Sequence, residues 1–532
     1  MGIPGFARAI RLISPGSFLK RLPQGKVNSL LIDANGLFHG VAEFIFGYGR
    51  HENNIEKVKS DFDKYVDAYL KEINKRILDL LDFYKPSNTL VFAVDGVAPV
   101  AKINQQRSRR YKSYSERVGT QFFNPSLISP GTDLMFKIHE SLNTFFSTSK
   151  KLPKRVIYSS FLTPGEGEHK IFKLIRANEI HGDGINILLG LDNDLFMLSL
   201  MSNLKSLYLV RSDEIYEESV DNDKVDVDHL RTFLETNYGT TDDIVMIMYL
   251  IGNDFLPRIP MFEDKMSSIK RLLFHLKKFK TRTSLTMVNK INWISFKRFL
   301  EDLAKDEIEF LERQKPDDFF YHQRIMTEAT RKGKFDFEIY HNQWNHFLVD
   351  PLFKEQDIKN STTDVYKNYL SMLEWIYNYY KNGTNINQYY FYKYNFSPLL
   401  VDLIDYINKN FSTLLDSVSK FGNSLDIPTQ LVLIIPKGDK AIIPAELHQV
   451  YESQIADQFV DKFITLYEGV RTEKQKHLGV PILPVFDITR TVKVLKDMDL
   501  DITFLNRFSS KGGTKVYETQ RVEDIRKMLK KK

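Results

Sequence analysis

Five short apolar runs punctuate the first half of the chain, and four of them stop at carboxylates: SLLIDANG (29–36), TLVFAVDG (89–96), NILLGLDND (186–194) and MIMYLIGND (246–254), with SLYLV (206–210) as the fifth. Runs this short, rich in Leu, Ile and Val and lacking polar alternation, read as strands covered on both faces. Helix-like patterns at 55–84, 133–148 and 167–178 separate them. Strand alternating with helix implies a mostly parallel α/β sheet flanked by helices. The run before Asp254 reads equally well as the end of a helix.

In such a sheet, ligands bind beyond the carboxyl ends of the strands. Asp33, Asp95 and Asp192 end strand-like runs, Asp194 follows two residues later, and Asp254 closes the fourth run. Glu166 and Glu168 follow a Pro-Gly turn in PGEGEHK. One such Asp alone is commonly a turn residue or a helix N-cap. Seven carboxylates on one sheet edge repel one another and raise each other's pKa unless cations neutralise them. All-oxygen donors select hard ions, Mg²⁺ or Mn²⁺. Two such ions about 3.5–4 Å apart are a recurrent device for phosphodiester cleavage.

A basic cluster follows the second run: Lys102, Arg107, Arg109, Arg110 and Lys112. Within it Lys102, Gln106, Arg109 and Arg110 have the spacing K-x-x-x-Q-x-x-R-R, so i, i+4, i+7 and i+8 share one helix face. That face offers an ammonium, an amide and two guanidiniums to one anion, and guanidinium forks match phosphate. The plainer alternative is a solvated basic helix face.

At 532 residues the chain is too long for one simple core. Its second half carries long amphipathic helical patterns at 263–315 and 363–382, and the last stretch, 508–532, is polar and ends in KMLKKK. The expected division is an acidic-cluster α/β domain at 1–262, a helix-rich region at 263–507 that completes the pocket, and a frayed basic tail at 508–532. The absence of cysteine excludes disulfides, thiolate metal sites and a cysteine nucleophile. No apolar run is long enough to span a bilayer. Gly2 invites a myristoylation reading, but Phe6 stands where that motif needs Ser or Thr. A net charge of +6 is mild, so nucleic-acid binding must come from local clusters. The stretch IKRLLFHLKKFKTR (269–282) either tracks a nucleic-acid backbone or is a solvated face. The reading is a soluble intracellular protein, cytoplasmic with the nucleus as alternative.

Taken together, MGIPGFARAI, LLIDANGLFH, VFAVDGVAPVAKINQQRSRR, ISPGTDLM, PGEGEHKI, GLDNDLFML and IGNDFLPRIP resemble, in order and spacing, the motifs of the XRN family of 5′→3′ exoribonucleases. Weaker similarity runs through LEWIYNYYKNG (373–383), LVLIIPKGDKAIIP (431–444) and GVPILPVFD (479–487). The resemblance implies a PIN/flap-endonuclease-like nuclease core with a largely helical second region packed on it. It assigns Asp33, Asp95, Glu166, Glu168, Asp192, Asp194 and Asp254 to the catalytic metal site, with two Mg²⁺ ions for which Mn²⁺ substitutes. It assigns Lys102, Gln106, Arg109 and Arg110 to the pocket for a 5′-monophosphate, and His39 to stacking on the first base. The family's Trp-rich stretch is here NINQYYFYKYNF (385–396), so the aromatic opposite His39 is expected to be Trp375, Tyr389 or Tyr390.

The implied activity is processive removal of 5′-mononucleotides from 5′-monophosphorylated single-stranded RNA, by a monomer with no membrane partner, in RNA decay. A compact, nuclease-core-only form is expected, for which a virus is one source. A flap-type DNA nuclease would share the acids, but the phosphate pocket argues against it and no glycine-rich helix-hairpin-helix motif follows residue 254. An inactive RNA-binding scaffold is the other alternative, against which the complete acid set argues.

Overall fold

The computed structural model describes residues 3, 5–49, 51, 61–117, 122–180, 184–211, 224–262, 265–279, 283–313, 320–351, 362–383, 386–414, 422–466 and 479–518. Seven strands, β1 (Phe18–Leu19), β2 (Val27–Asp33), β3 (Thr89–Ala93), β4 (Arg155–Ser159), β5 (Ile185–Leu189), β6 (Leu207–Val210) and β7 (Lys224–Asp226), join the late strand Thr514–Glu518 in one sheet. Its order is β1-β7-β6-β5-β2-β3-β4 followed by Thr514–Glu518. The five central strands are parallel, and the pairings of β7 with β6, β1 with β7, and Thr514–Glu518 with β4 are antiparallel.

Both faces of the central strands are covered, as their unbroken apolar runs require. Leu31, Val91, Ile157, Leu188 and Leu209 point into one core, which the helices of 244–407 close. Leu30, Ile32, Leu90, Phe92, Val156, Tyr158, Ile187 and Leu189 point into another, shared with residues 34–146 and 425–504. The two-residue alternation of a strand produces this split. The second region is therefore not one body laid on the first. Its earlier helices cover one face of the sheet, and its later segments return to the other.

One expectation changes, and one open alternative closes. The tail expected over 508–532 is not frayed throughout, because Thr514–Glu518 pairs with β4 from Thr514 opposite Ser159 to Glu518 opposite Arg155; residues 519–532 lie outside the described residues, as does Gly2. The run before Asp254, open between a strand and the end of a helix, is the helix Thr241–Met248 followed by the 3₁₀ turn Tyr249–Ile251. The 269–282 stretch forms most of the helix Lys265–Phe279, whose Ile269, Leu272, Leu273 and Leu276 are buried, and 280–282 lie outside the described residues.

Helices follow the strand ends. Ala34–Phe46 (α1) starts directly after β2, Val100–Glu116 (α2) follows β3, Gly167–Arg176 (α3) follows β4, and Asp194–Leu200 (α4) follows β5. The second region clasps α2 along its length. Ala98 N–H donates to Gln430 Oε1 (2.9 Å) and Val100 N–H to the Gln388 carbonyl (2.9 Å). Arg117 forms a two-point ion pair with Asp439 (2.7 and 2.9 Å). Between them, the buried Arg107 donates to the Pro484 carbonyl at 2.7 Å and to the Gln458 carbonyl.

Arg107 therefore differs in role from Lys102, Arg109 and Arg110: its guanidinium satisfies two backbone carbonyls of the second region. Arg107→Ala is expected to destabilise the fold by about 1–3 kcal/mol, the cost of leaving such buried acceptors unpaired. Urea unfolding of the variant checks this, and an unchanged midpoint would contradict it.

Candidate active site

The carboxyl ends of β2, β3, β4 and β5 meet around a cavity of about 250 Å³. Asp33, Asp95, Glu166, Glu168, Asp192 and Asp254 line it together with Lys102, Gln106, Arg109, Arg110 and His39. Of the acids expected from the sequence, Asp194 alone is absent from the lining; it opens α4 and is buried.

Backbone and side chains hold the acids at short range. Asp33 is the last residue of β2. Asp95 lies just past β3, where Asn35 grips it twice: Asn35 Nδ2 donates to Asp95 Oδ2 (2.9 Å), and Asp95 N–H donates to Asn35 Oδ1 (3.0 Å). The first amide of α3 completes the shell, with Gly167 N–H donating to Asp95 Oδ1 at 2.7 Å. A helix N-terminus favours a carboxylate there through its unpaired N–H groups. Gly167 permits the approach, because a Cβ at that position would stand 2.7 Å from Asp33 Oδ1 and 3.0 Å from the Ala93 carbonyl. Lys170, one turn further, donates to the carbonyls of Val94 (2.6 Å) and Ser160 (2.8 Å), joining the ends of β3 and β4.

Lys102 is the cation at the centre. Its Nζ lies 2.6 Å from Glu166 Oε2 and 2.9 Å from Asp254 Oδ2. Burial opposes its charge, but Asp254, Glu166, Glu168 and Asp194 hold its pKa well above the usual lysine value. Burial and Lys102 act in opposite senses on Asp254, which remains below the usual carboxylate value. Asp33, Glu168 and Asp194 lack enough counter-charge. Burial first, then Asp95 and Asp192, raises Asp33 well above 3.8. Burial and Glu166 do the same to Glu168, and burial with Asp254 brings Asp194 to about 7.

Carboxyl oxygens of Asp33, Asp95 and Glu168 lie within 4.8 Å of one another. Asp33 Oδ1 and Asp194 Oδ1 are buried without a hydrogen-bond partner. Orphaned oxygens among mutually repelling acids fit a hard divalent cation, which accepts several oxygen donors.

The cationic wall is graded. Arg110 donates to Ser129 Oγ (2.7 Å), which fixes the fork against the loop 128–131. Burial and Arg109 lower its pKa to about 9, so it is charged at neutral pH. Arg109 is exposed at the mouth, and Gln106 Oε1 is buried without a partner. Burial, with Arg109 and Arg110, lowers His39 to about 4, so its ring is neutral. Glu43, one turn beyond His39 on α1, also lines the cavity and was not anticipated.

Trp375 does not reach this cavity. It is fully buried, and its indole N–H donates to the Asn387 carbonyl at 2.8 Å. The expectation that it stacks opposite His39 fails because a helix interior holds it. Tyr390 is mostly enclosed, with its hydroxyl bonded to Asn368 (2.9 Å), whereas Tyr389 is exposed; neither lines the cavity. The sequence reading missed Asn35, Lys170 and the pair Tyr379 and Tyr380. Tyr379 donates to Glu166 Oε1 at 2.6 Å, and the Tyr380 hydroxyl hydrogen-bonds Asp194.

Sheet and acid edge together define an α/β core of nuclease type. The family model described as XRN 5′-3′ exonuclease N-terminus matches residues 1–213, and the one described as Xrn1 helical domain matches 340–511. This chain belongs to the XRN 5′-3′ exonuclease family. It is 25% identical to 5′-3′ exoribonuclease 1 of Homo sapiens over 93% of this chain and 34% of the relative. It is 23% identical to the 5′-3′ exoribonuclease 2 homolog of Drosophila melanogaster over 89% of this chain and 66% of the relative. The chain thus spans about a third of the human relative's length. Among solved structures, the catalytic core of Rad2 in complex with DNA substrate aligns with 77% of this chain and 95% of its own at 14% identity, with a TM-score of 0.34.

The raised acids give a pH dependence. Asp33, Glu168 and Asp194 bind protons more tightly folded than unfolded, so the metal-free fold loses stability as pH rises from their unfolded range towards about 7. Divalent-ion binding needs the unprotonated oxygens. Mn²⁺ is therefore expected to raise the melting temperature more at about pH 7.5 than at about pH 5.5, each against a chelator reference. Equal shifts at the two pH values would contradict the assignment.

Proposed function

We propose that this protein hydrolyses single-stranded RNA from a 5′-monophosphorylated end and releases 5′-mononucleotides stepwise. The observation that carries the reading is the meeting of the acids and the cationic wall in one cavity of about 250 Å³. Family membership and the printed names of the relatives, 5′-3′ exoribonucleases, support it.

In this reading Arg109 and Arg110 grip the terminal phosphate, Gln106 gives it an amide, and Lys102 joins the phosphate wall to the acids. Neutral His39 lies under the first base, where stacking tolerates every sequence because every base has a π-face. The acids Asp33, Asp95, Glu166, Glu168, Asp192, Asp194 and Asp254 would hold two Mg²⁺ ions, with Mn²⁺ as substitute. Such ions, when bound, activate water and stabilise the leaving oxygen. Asn35, the Gly167 amide and Lys170 keep the strand ends in register beneath the scissile phosphate. After each release the new 5′-phosphate enters the same wall, which makes the cycle processive.

Two substitutions separate the walls. Asp194→Ala is expected to lower mononucleotide release by more than about 100-fold, beyond the loss typical of an outer-shell partner, with RNA affinity by fluorescence anisotropy nearly unchanged. Normal release would remove Asp194 from the acid site. Arg109→Ala is expected to reduce the preference for a 5′-monophosphate over a 5′-hydroxyl by about tenfold or more, the loss of one charge-assisted hydrogen bond. An unchanged ratio would remove Arg109 from the phosphate pocket.

A further inference from the structure

The helix Thr362–Asn382 belongs to the second region, yet its last turns reach the acid edge of the sheet. There the fully buried Tyr379 donates its hydroxyl to Glu166 Oε1 at 2.6 Å. Such a length is typical of a hydroxyl bound to a charged oxygen. Three rings brace the phenol. His169 lies face to face with it at 3.7 Å and 18°. Trp375, one turn earlier, lies at 5.0 Å and 31°, and Phe255 meets it edge-on at 5.8 Å and 83°. His169 follows Glu168 in the chain and Phe255 follows Asp254, so two of the braces are covalent neighbours of site acids. The buried Trp375 thereby acquires a role: with its N–H tied to Asn387, it backs Tyr379.

Tyr380 takes a different direction from the same turn. Its hydroxyl hydrogen-bonds Asp194, and its ring lies 5.4 Å from that of Tyr249. Successive helical residues point about 100° apart, so adjacent tyrosines can reach acids on two different elements.

We propose that Tyr379 and Tyr380 are positioning residues of the metal site, each donating one hydroxyl to one carboxylate and so fixing which oxygen faces the ions. The inference rests on the metal-site reading above. Glu166 Oε1 is occupied by Tyr379, which leaves Oε2 on the side of Lys102 and the cavity. Outer partners that orient a ligand raise metal affinity by cutting the cost of ordering it. The first family region thus carries Glu166 and Asp194, and a helix of the second region sets their orientation. A tyrosine that only filled core space would not need its hydroxyl.

Phenylalanine keeps the ring and removes only the donor, so Y379F and Y380F in the full chain are the test variants, with Mn²⁺ as the probe. Y377F is the control: it lies on the same helix, but its hydroxyl goes to Asp242 (3.1 Å) and the Met287 carbonyl (3.3 Å). Calorimetric titration without RNA is expected to show Mn²⁺ binding about tenfold weaker in Y379F and Y380F and unchanged in Y377F. The Mn²⁺ needed for half-maximal mononucleotide release should rise in parallel, with most activity recovered at saturating Mn²⁺. Wild-type Mn²⁺ affinity in Y379F and Y380F, with or without a lower metal-free melting temperature, would overturn the inference and leave them as packing residues. An equal loss in Y377F would also overturn it. Should Y379F fail to fold, Y380F decides alone. If the wild-type protein itself binds no Mn²⁺, the metal-site reading fails, and this inference with it.

Discussion

Repulsion among the carboxylates at the end of the parallel sheet is the constraint that the rest of the structure answers. Asp33, Asp95 and Glu168 are brought within ligand distance of one another at a mostly buried edge. In the absence of compensation, burial and mutual charge drive protons onto such groups, as the raised Asp33, Glu168 and Asp194 illustrate. Asn35 and the Gly167 amide share the charge of Asp95. Lys102 is a fixed counter-charge between Glu166 and Asp254. Each of these holds one or two acids, and the oxygens left over mark the place for mobile cations.

Helix α2 links this edge to the remainder of the chain. Its Lys102, Gln106, Arg109 and Arg110 face the cavity, while Arg107 and Lys112 turn to backbone carbonyls of the second region. The helix is thus anchored from behind by residues far along the chain. That anchoring gives the cationic wall a rigid base, the condition under which a donor set discriminates between ligands. The second region also holds the other side of the site, through Tyr379 at Glu166.

How much of this was legible in the sequence follows from how local each signal is. Asp33, Asp95 and Asp192 were legible because each closes an apolar run, and the α2 quartet because helical spacing alone puts it on one face. The β1 and β7 strands were not, being three residues or fewer. Nor was Thr514–Glu518, whose partner β4 lies far away in the chain and whose own composition is polar. Arg107 was grouped with the basic cluster because its carbonyl partners at 458 and 484 leave no mark beside it. Trp375 invited a stacking role by residue type, yet tertiary packing buries it behind Tyr379. Of the two, Tyr379 is the residue that touches an acid, and nothing in LEWIYNYYKNG singles out that tyrosine among its neighbours.

The central claim is that one cavity joins a cation-dependent acid edge to a wall that recognises a phosphorylated 5′ end. The most direct measurement is a time course with Mg²⁺ on one 3′-labelled RNA bearing a 5′-monophosphate, a 5′-hydroxyl or a 5′-triphosphate, with released mononucleotides assayed in parallel. The account predicts rapid loss of the monophosphorylated RNA alone, with 5′-mononucleotides as product and no cleavage when a chelator replaces Mg²⁺. Equal cleavage of all three ends, internal cuts, or undiminished cleavage in chelator would contradict it.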